Sequence, residues 1–244
     1  AAMQAQAERF GTEILLDDVV EVDLKGDVKI LKTGAGETFE AKTVILATGA
    51  AYRELGLPRE KELSGHGVSW CATCDGFFFR EKIIAVVGGG DSAMEEAMFL
   101  SRFGSKVYLI HRRDSFKASK TMQERVFNNP KIEIIYNSAV DELIGSPNLT
   151  GVKLKSTVDE AITDLAVDGL FIAIGSDPRV WLVENQLKLT SEKFIEVDGR
   201  SSRTSLPGVF ACGDVIDPTY RQAITAAGSG CVAALDAEHY LSDH

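Results

Sequence analysis

Cys71 and Cys74 form a Cys-x-x-Cys pair that is preceded by Trp70 and followed by Asp75. Two thiols at this spacing can close a small, readily reduced ring, and local charges can activate one of them. Asp75 is a candidate proton donor or acceptor for the departing thiolate, with an ordinary turn or N-cap aspartate as its alternative. The pattern favours redox chemistry over a structural pair of buried thiols.

A zinc site is the other alternative for this pair, and it requires about four ligands. The remaining cysteines, Cys212 and Cys231, are isolated, and neither His66 nor His111 stands at ligand spacing. We therefore expect no metal site in this chain.

A glycine loop follows the dithiol and matches the pattern G-x-G-x-x-A. It lies between a predicted strand, Ile83–Val87, and a predicted helix, Ser92–Phe103, which is the context that gives this motif meaning. The first glycine permits a tight turn, the second admits a pyrophosphate, and the small last residue allows close packing. The loop predicts dinucleotide binding, with a ligand-free turn as the alternative, and comprises Gly88, Gly89, Gly90, Asp91, Ser92 and Ala93.

The end of the next predicted strand, Lys106–His111, selects the nucleotide. A site for NAD usually has a carboxylate there, whereas this chain has His111, Arg112 and Arg113, with Lys117 close behind. Guanidinium groups bind a 2′-phosphate through charge-assisted hydrogen bonds. The sequence therefore favours NADPH over NADH, unless this is only a solvated basic loop.

A flavin commonly mediates between a nicotinamide and a disulfide. The apolar segment that ends in Gly213-Asp214 places a carboxylate where it can bind a ribityl hydroxyl, although a loop cap is the alternative for Asp214. Arg221, Gln222 and Ala223 begin a predicted helix whose positive end can stabilise charge on a flavin.

Composition limits the classes of function. The 244 residues carry a net charge of −10, which disfavours a general nucleic-acid binder. No apolar run approaches the roughly 18 residues of a membrane span. Four cysteines in a chain of this length do not make a secreted disulfide scaffold, so a reducing cytoplasm is expected.

The predicted fold class is α/β. We predict one compact module with the dithiol and the glycine loop, 54–174, inserted between two pieces of another, 1–53 and 175–244. The helices and strands predicted outside the motifs are Ala1–Phe10, Glu13–Leu16, Val20–Leu24, Val28–Leu31, Thr38–Ala41, Thr43–Ala47, Lys117–Asn128, Ile132–Tyr136, Ala139–Ile144, Val152–Ser156, Leu165–Ile174, Phe194–Val197 and Arg221–Tyr240.

These motifs, in this order over nearly the whole chain, resemble the bacterial-type, low-molecular-weight thioredoxin reductases. The resemblance implies FAD, NADPH, a homodimer and thioredoxin as the disulfide substrate. It implies two Rossmann-like domains, with an NADPH-binding domain, 54–174, inserted into a truncated FAD domain, 1–53 and 175–244, and hinges near Glu54 and Gly175. It also implies that Cys74 lies nearer the flavin, that Cys71 attacks thioredoxin and that Asp75 handles the proton. Its cofactor-contacting positions include Thr48, Gly49, Ala50, Ile174, Gly213, Asp214, Val215, Arg221, Gln222 and Ala223.

Two departures from the family pattern lead to further expectations. Relatives often have Asn where this chain has Asp91, and a carboxylate near a pyrophosphate is unfavourable unless it turns away. The family also begins with its own glycine loop for the FAD diphosphate, which these 244 residues lack. We expect a fragment of a longer enzyme that holds FAD poorly. Alternatives are an NADP(H)-binding dithiol module without turnover and a flavin reductase for another disulfide.

Overall fold

The computed structural model describes residues 2–244 as two compact units. The discontinuous unit combines Ala1–Ala51 with Asp177–His244, and the inserted unit is Tyr52–Ser176. Ala1, the first residue of the predicted N-terminal helix, lies outside the described residues. The assignment of 1–53 and 175–244 to FAD and of 54–174 to NADPH stays a prediction.

The first part of the chain forms a three-stranded antiparallel sheet in the order β1-β2-β3. The turn between the second and third strands contains Gly36 at φ 90°, a conformation that favours glycine, and it forms the predicted hairpin. The elements are α1 Ala2–Glu8, β1 Val19–Asp23, β2 Lys29–Thr33, β3 Thr38–Ala41, β4 Val44–Leu46 and β5 Ala50–Tyr52.

The inserted unit is built on a five-stranded parallel sheet in the order β6-β13-β7-β8-β9, beside an antiparallel sheet β10-β11-β12. Its elements are β6 Val68–Ser69, α2 Ala72–Asp75, a 3₁₀ helix Gly76–Phe79, β7 Ile83–Val87, α3 Asp91–Leu100, β8 Lys106–Ile110, α4 Lys120–Phe127, β9 Ile132–Ile135, β10 Ser138–Ile144, β11 Gly151–Ser156, β12 Ile162–Ala166 and β13 Gly169–Ile172.

The central strand β7 is covered on both faces, as its apolar sequence predicts. Ile84 and Val86 belong to a core with α3, while Ala85 and Val87 belong to a second core that includes residues of β10 and β11. The register aligns Val87 with both Ile110 and Ile172. The glycine loop, His111 and Ala173 therefore meet at the carboxyl edge of this sheet.

The last part of the chain returns to the discontinuous unit. Strand β15 pairs with β4 in parallel, with Ala211 opposite Leu46. Val209 and Ala211 pack into one core, and Phe210 packs on the other face beneath the terminal helix. The elements are β14 Ser176–Pro178, β15 Val209–Ala211, a 3₁₀ helix Gly213–Val215 and α5 Ala223–Asp243.

Three predicted strands are wrong. Glu13–Leu16 is irregular and exposed, with Leu16 96% accessible, because the segment packs against no partner strand. The predicted strand 165–174 is two strands in different sheets, β12 and β13, since the chain breaks at Val167-Asp168. Around Phe194–Val197 only an isolated bridge from Leu189 to Ile195 forms.

Candidate active site

The dithiol lies at the start of α2 as a Cys71–Cys74 disulfide with a Cα–Cα distance of 5.3 Å. Cys71 is the N-cap of this short helix, and its sulfur accepts a hydrogen bond from the Cys74 backbone N–H at 3.2 Å. Cys71 is half-buried and Cys74 is exposed. A disulfide with one cysteine at the surface can exchange electrons with an external donor or acceptor.

Ser69, which the sequence analysis did not identify, connects the disulfide to Asp75. Its hydroxyl donates to Asp75 Oδ2 at 2.7 Å and accepts from the Cys71 backbone N–H at 3.1 Å. Thr73 Oγ1 lies 3.3 Å from Cys71 Sγ. A serine at the end of a two-residue strand carries no motif, so only the folded arrangement reveals this link.

The dithiol helix packs on the helix that follows the glycine loop. Ala72 is buried in the same core as Ala93 and Met94 of α3. A Cβ added at Gly76 would lie 3.0 Å from Leu100 Cδ2, so the chain passes close to α3 there. The candidate redox pair and nucleotide loop therefore share one rigid support within the inserted unit.

The glycine loop has two positions that packing restricts and one that is open. A Cβ at Gly88 would overlap the Ala173 carbonyl oxygen and the Ala93 side chain, and one at Gly89 would overlap the His111 ring. Gly90, the N-cap of α3, has nothing within 4 Å of that position. Open space at the second glycine of the motif fits a pyrophosphate approaching the backbone.

The predicted nucleotide-binding side chains separate into two groups. His111 is buried, stacks near Phe116 at 4.9 Å, and its Nε2 lies 3.0 Å from the Ser115 carbonyl oxygen. Arg112, Arg113 and Lys117 are exposed, and their side chains have no hydrogen-bond or ion-pair partner among residues 2–244. Three cations without a side-chain partner therefore lie in the segment next to the glycine loop, whereas the His111 ring packs against Gly89.

In the discontinuous unit, the parallel pairing of β4 and β15 brings the predicted flavin-contacting segments to one sheet edge. Thr48 and Gly49 follow β4, and Gly213 and Asp214 follow β15. The Thr48 hydroxyl is already engaged, because it donates to the Arg179 carbonyl at 2.7 Å. Ala50 and Val215 adjoin these segments, while Ile174 lies in the inserted unit, where it packs half-buried against a core.

Asp214 and Asp217 have opposite electrostatic environments. Burial and the nearby charge of Asp217 raise the pKa of Asp214, although Arg221 opposes the shift. Burial also disfavours the charged form of Asp217, but backbone N–H groups of Tyr220, Arg221 and Thr219 outweigh it and lower the pKa of Asp217. The Asp214 carboxylate accepts no hydrogen bond from residues 2–244, so it fits a hydroxyl donor such as the ribityl chain of FAD.

Asp217 also shapes the entry to α5. Its carboxylate accepts the N–H groups of Thr219 and Tyr220 at 2.8 Å and of Arg221 at 2.9 Å. Arg221 has a positive φ of 48°, and Gln222 then caps the helix in a reciprocal bond with Thr225. The helix entrance beside Asp214 is therefore held in place, and the positive end of the helix dipole there suits an anionic flavin locus.

Residues 2–244 contain no cluster of three or more His, Cys, Asp or Glu side chains arranged to hold a metal ion. Within the same range, no helix combines the length and apolar character required to cross a membrane.

A family model described as pyridine nucleotide-disulphide oxidoreductase matches residues 3–230. The chain therefore belongs to this class of enzymes. Thioredoxin reductase of Streptomyces clavuligerus is 59% identical over 240 residues, covering 98% of this chain and 74% of the relative. Within the class, the chain belongs to the thioredoxin reductase family.

Two further relatives agree with this assignment. The bifunctional thioredoxin reductase/thioredoxin of Mycobacterium leprae is 52% identical over 242 residues, which are 99% of this chain and 53% of that protein. The crystal structure of thioredoxin reductase from Streptococcus pyogenes has a TM-score of 0.93 at 41% identity, covering 100% of this chain and 79% of that one.

Family membership confirms several predictions. The α/β class with Rossmann-like folds, the oxidoreductase class and the family's dependence on FAD and NADPH are correct. The Cys71–Cys74 disulfide agrees with the predicted redox pair. The roles of individual residues, the domain assignment and the homodimer stay predictions.

Proposed function

We propose that this chain carries electrons from NADPH to the Cys71–Cys74 disulfide and from there to the disulfide of thioredoxin. The single observation that carries the proposal is the disulfide itself, held at the start of α2 between a half-buried and an exposed cysteine. A relative in which reductase and thioredoxin form one polypeptide supports thioredoxin as the partner.

Two successive thiol–disulfide exchanges transfer two electrons from the reduced Cys71 and Cys74 thiols to thioredoxin. The Cys71 thiolate attacks one sulfur of the thioredoxin disulfide, forms a mixed disulfide and releases the other thioredoxin sulfur as a thiolate. Cys74 then attacks Cys71 Sγ, which restores the Cys71–Cys74 bond and releases the second thioredoxin thiol. Two electrons leave the enzyme, and two protons end on thioredoxin.

Asp75 and Thr73 assist this exchange from fixed positions. Asp75, oriented by the Ser69 hydroxyl at 2.7 Å, accepts or supplies a proton as the thiols change state. Thr73 Oγ1, 3.3 Å from Cys71 Sγ, can donate to a thiolate and favour the nucleophilic form of Cys71.

Two binding regions serve the cofactors. The inserted unit holds NADPH, with the pyrophosphate at Gly90 and the N-terminus of α3 and the 2′-phosphate at Arg112, Arg113 and Lys117. Asp214 and the α5 entrance hold the flavin side of FAD. The chemistry that bound FAD supplies is the conversion of a nicotinamide hydride into the two electrons that a disulfide accepts.

The experiment follows NADPH oxidation with oxidised thioredoxin as the substrate and FAD in excess. Cys71→Ser and Cys74→Ser should each abolish thioredoxin-dependent oxidation, because either change removes the exchangeable disulfide. Cys231→Ser is the matched control, since this cysteine is free and exposed on α5. It should retain the wild-type rate.

Turnover that survives both active-site substitutions would contradict the proposal. Turnover with another protein disulfide, in the absence of any with thioredoxin, would instead assign the same chemistry to a different partner.

The assembly and location are the remaining parts of the proposal. The chain acts as a homodimer in the cytoplasm, as the family resemblance implies. Apolar side chains exposed on α5 support self-association, with Ile224 81% and Leu235 50% accessible. Sedimentation at micromolar concentration should give a dimer, and a monomer at all concentrations would refute this part.

A further inference from the structure

Asp91 makes two hydrogen bonds that connect the starts of two helices. Its Oδ1 accepts the backbone N–H of Ser119 at 2.9 Å and the Ser119 hydroxyl at 2.8 Å. Asp91 is the first residue of α3, and Ser119 is the N-cap of α4. These bonds lower the pKa of Asp91, so the carboxylate is charged at neutral pH.

A second pair of bonds fastens the same segment to the glycine loop. The Gly89 carbonyl accepts the backbone N–H of Lys117 at 2.9 Å and of Ala118 at 3.2 Å. Lys117 is therefore the first residue of a three-residue stretch, Lys117–Ser119, which is held at both the loop and α3. The other end of the basic loop is held elsewhere, because Asn137 and Thr157 donate to the Arg113 and Arg112 carbonyls.

The charge of Asp91 is unfavourable by itself at this place. A carboxylate at the first turn of α3 repels the diphosphate that the same helix end attracts. Its bonds to Ser119 engage Oδ1 and use the carboxylate to hold the neighbouring chain. Removal of Asp91 should therefore raise the NADP⁺ affinity if the carboxylate acts by repelling the diphosphate, and lower it if the carboxylate acts by holding Ser119.

We infer that Asp91 is a positioning residue for NADPH selectivity, which acts by holding Ser119 and thereby setting Lys117 against the 2′-phosphate. This inference rests on the proposed function, in which the basic loop recognises that phosphate. Asp91 itself contacts no phosphate in this assignment.

The experiment measures calorimetric binding of NADP⁺ and NAD⁺ to the whole chain and its variants. Asp91→Ala should weaken NADP⁺ binding about tenfold, equivalent to about 1.4 kcal/mol, and change NAD⁺ binding less than about twofold. Asp91→Asn should bind both nucleotides at least as tightly as the wild type, since the amide oxygen can replace Oδ1 while the repulsive charge is lost. Glu95→Ala, an exposed carboxylate on the same helix, is the control for loss of charge.

A double-mutant cycle tests the route through Lys117. Lys117→Ala should lower the preference for NADP⁺, and adding Asp91→Ala should lower it no further, because the two residues act in series. Additive losses would overturn this route. Asp91→Ala would overturn the inference if it matched Glu95→Ala, strengthened NADP⁺ binding, or weakened both nucleotides equally.

A separate variant distinguishes failure of the inference from failure of the proposed function. Arg112→Ala combined with Arg113→Ala removes two cations without touching the tether. If this variant keeps the wild-type preference for NADP⁺, or if the wild type binds neither nucleotide, the proposed nucleotide site fails. If it loses the preference while Asp91→Ala does not, only the role of Asp91 fails.

Discussion

In the inserted unit the glycine loop lies on buried atoms, whereas in the discontinuous unit the segment after the 3₁₀ helix Gly213–Val215 is held by hydrogen bonds to one carboxylate. Gly88 and Gly89 have no room for a side chain because Ala173 and His111 lie against them. The segment from Asp217 to Arg221 depends on three backbone N–H groups bound to Asp217.

The strands beneath the two loops differ in the same way. Strand β7 is buried from Ile84 to Val87, inside a five-stranded sheet that has a core on each face. Strand β4 pairs only with β15 among the described strands, and Ile45 in its centre is 41% exposed. Sequences of equal apolarity thus gain different amounts of burial, and packing fixes the first loop more firmly than the second.

Truncation of a buried phenylalanine in a parallel strand of each unit should give the largest difference in stability between the two units. Phe171 of β13 is fully buried and contacts Phe79 edge-on at 5.2 Å, within the larger core. Phe210 of β15 is 2% exposed but lies in a small cluster beneath α5. Truncation to Ala typically costs about 3–5 kcal/mol, and we expect Phe171 near the upper end and Phe210 near the lower.

Hydrogen exchange read by mass spectrometry measures the two units separately. Phe171→Ala should increase exchange in β7 and β8, and Phe210→Ala should increase it in α5. Equal losses of stability would show that the two units are packed equally well, and a larger loss from Phe210→Ala would reverse the comparison.

Substitutions at Gly88 and Gly90 should distinguish the packing of the nucleotide loop from the space that it leaves for a ligand. Gly88→Ala forces a Cβ against the backbone oxygen of Ala173, which cannot move aside cheaply, and should cost about 1–3 kcal/mol of stability. Gly90→Ala meets open space at φ −100°, so thermal unfolding should change little. The Gly90 variant should nevertheless lose NADP⁺ affinity, because its methyl group occupies the diphosphate approach.

Calorimetry measures the NADP⁺ affinity of both variants, and thermal unfolding of the same samples measures their stability. Unchanged NADP⁺ affinity in Gly90→Ala would place the diphosphate elsewhere, and an unchanged melting temperature in Gly88→Ala would show that the loop is less tightly packed.

The same contrast explains which features could be predicted from sequence. Strand β7, the glycine loop and α3 follow from local patterns. The structure gives β7 its predicted bounds, and α3 begins one residue and ends three residues before the predicted helix. The break between β12 and β13 could not be read from the apolar run. It depends on Asp168, whose N–H and carboxylate both bond to the backbone of Ile83, 85 residues away.

The site residues also divide into those that a sequence motif reveals and those that only the folded structure reveals. The dithiol and basic loop are visible because their side-chain types stand together in the chain. His111 was predicted beside Arg112 as a nucleotide ligand, but it is buried under Gly89, since β8 ends directly below the loop. Ser69 and Ser119 belong to no motif, and only tertiary contacts bring them to Asp75 and Asp91.

Substitutions of Asp217 and Asp214 should change the free energy of unfolding least, and the two changes should have opposite signs. Asp217→Ala removes three hydrogen bonds to the loop and should destabilise the unit by about 1–2 kcal/mol at pH 7. Asp214→Asn should stabilise it slightly, by less than about 1 kcal/mol, because a solvent-screened but unfavourable charge is removed.

The pH dependence has a defined sign for each residue. The pKa of Asp217 is lowered in the folded chain, so its contribution is complete above the ordinary pKa and is lost as the pH falls through the folded value. The pKa of Asp214 is raised, so its contribution is present below the ordinary pKa and is lost as the pH rises through the folded value. Urea unfolding between about pH 3 and 7 should therefore show the Asp217→Ala deficit shrinking towards acid and the Asp214→Asn gain appearing only above the ordinary aspartate pKa. A deficit for Asp217→Ala that persists unchanged at pH 3 would mean that packing, not the carboxylate, holds this loop, and the contrast between the two units would disappear.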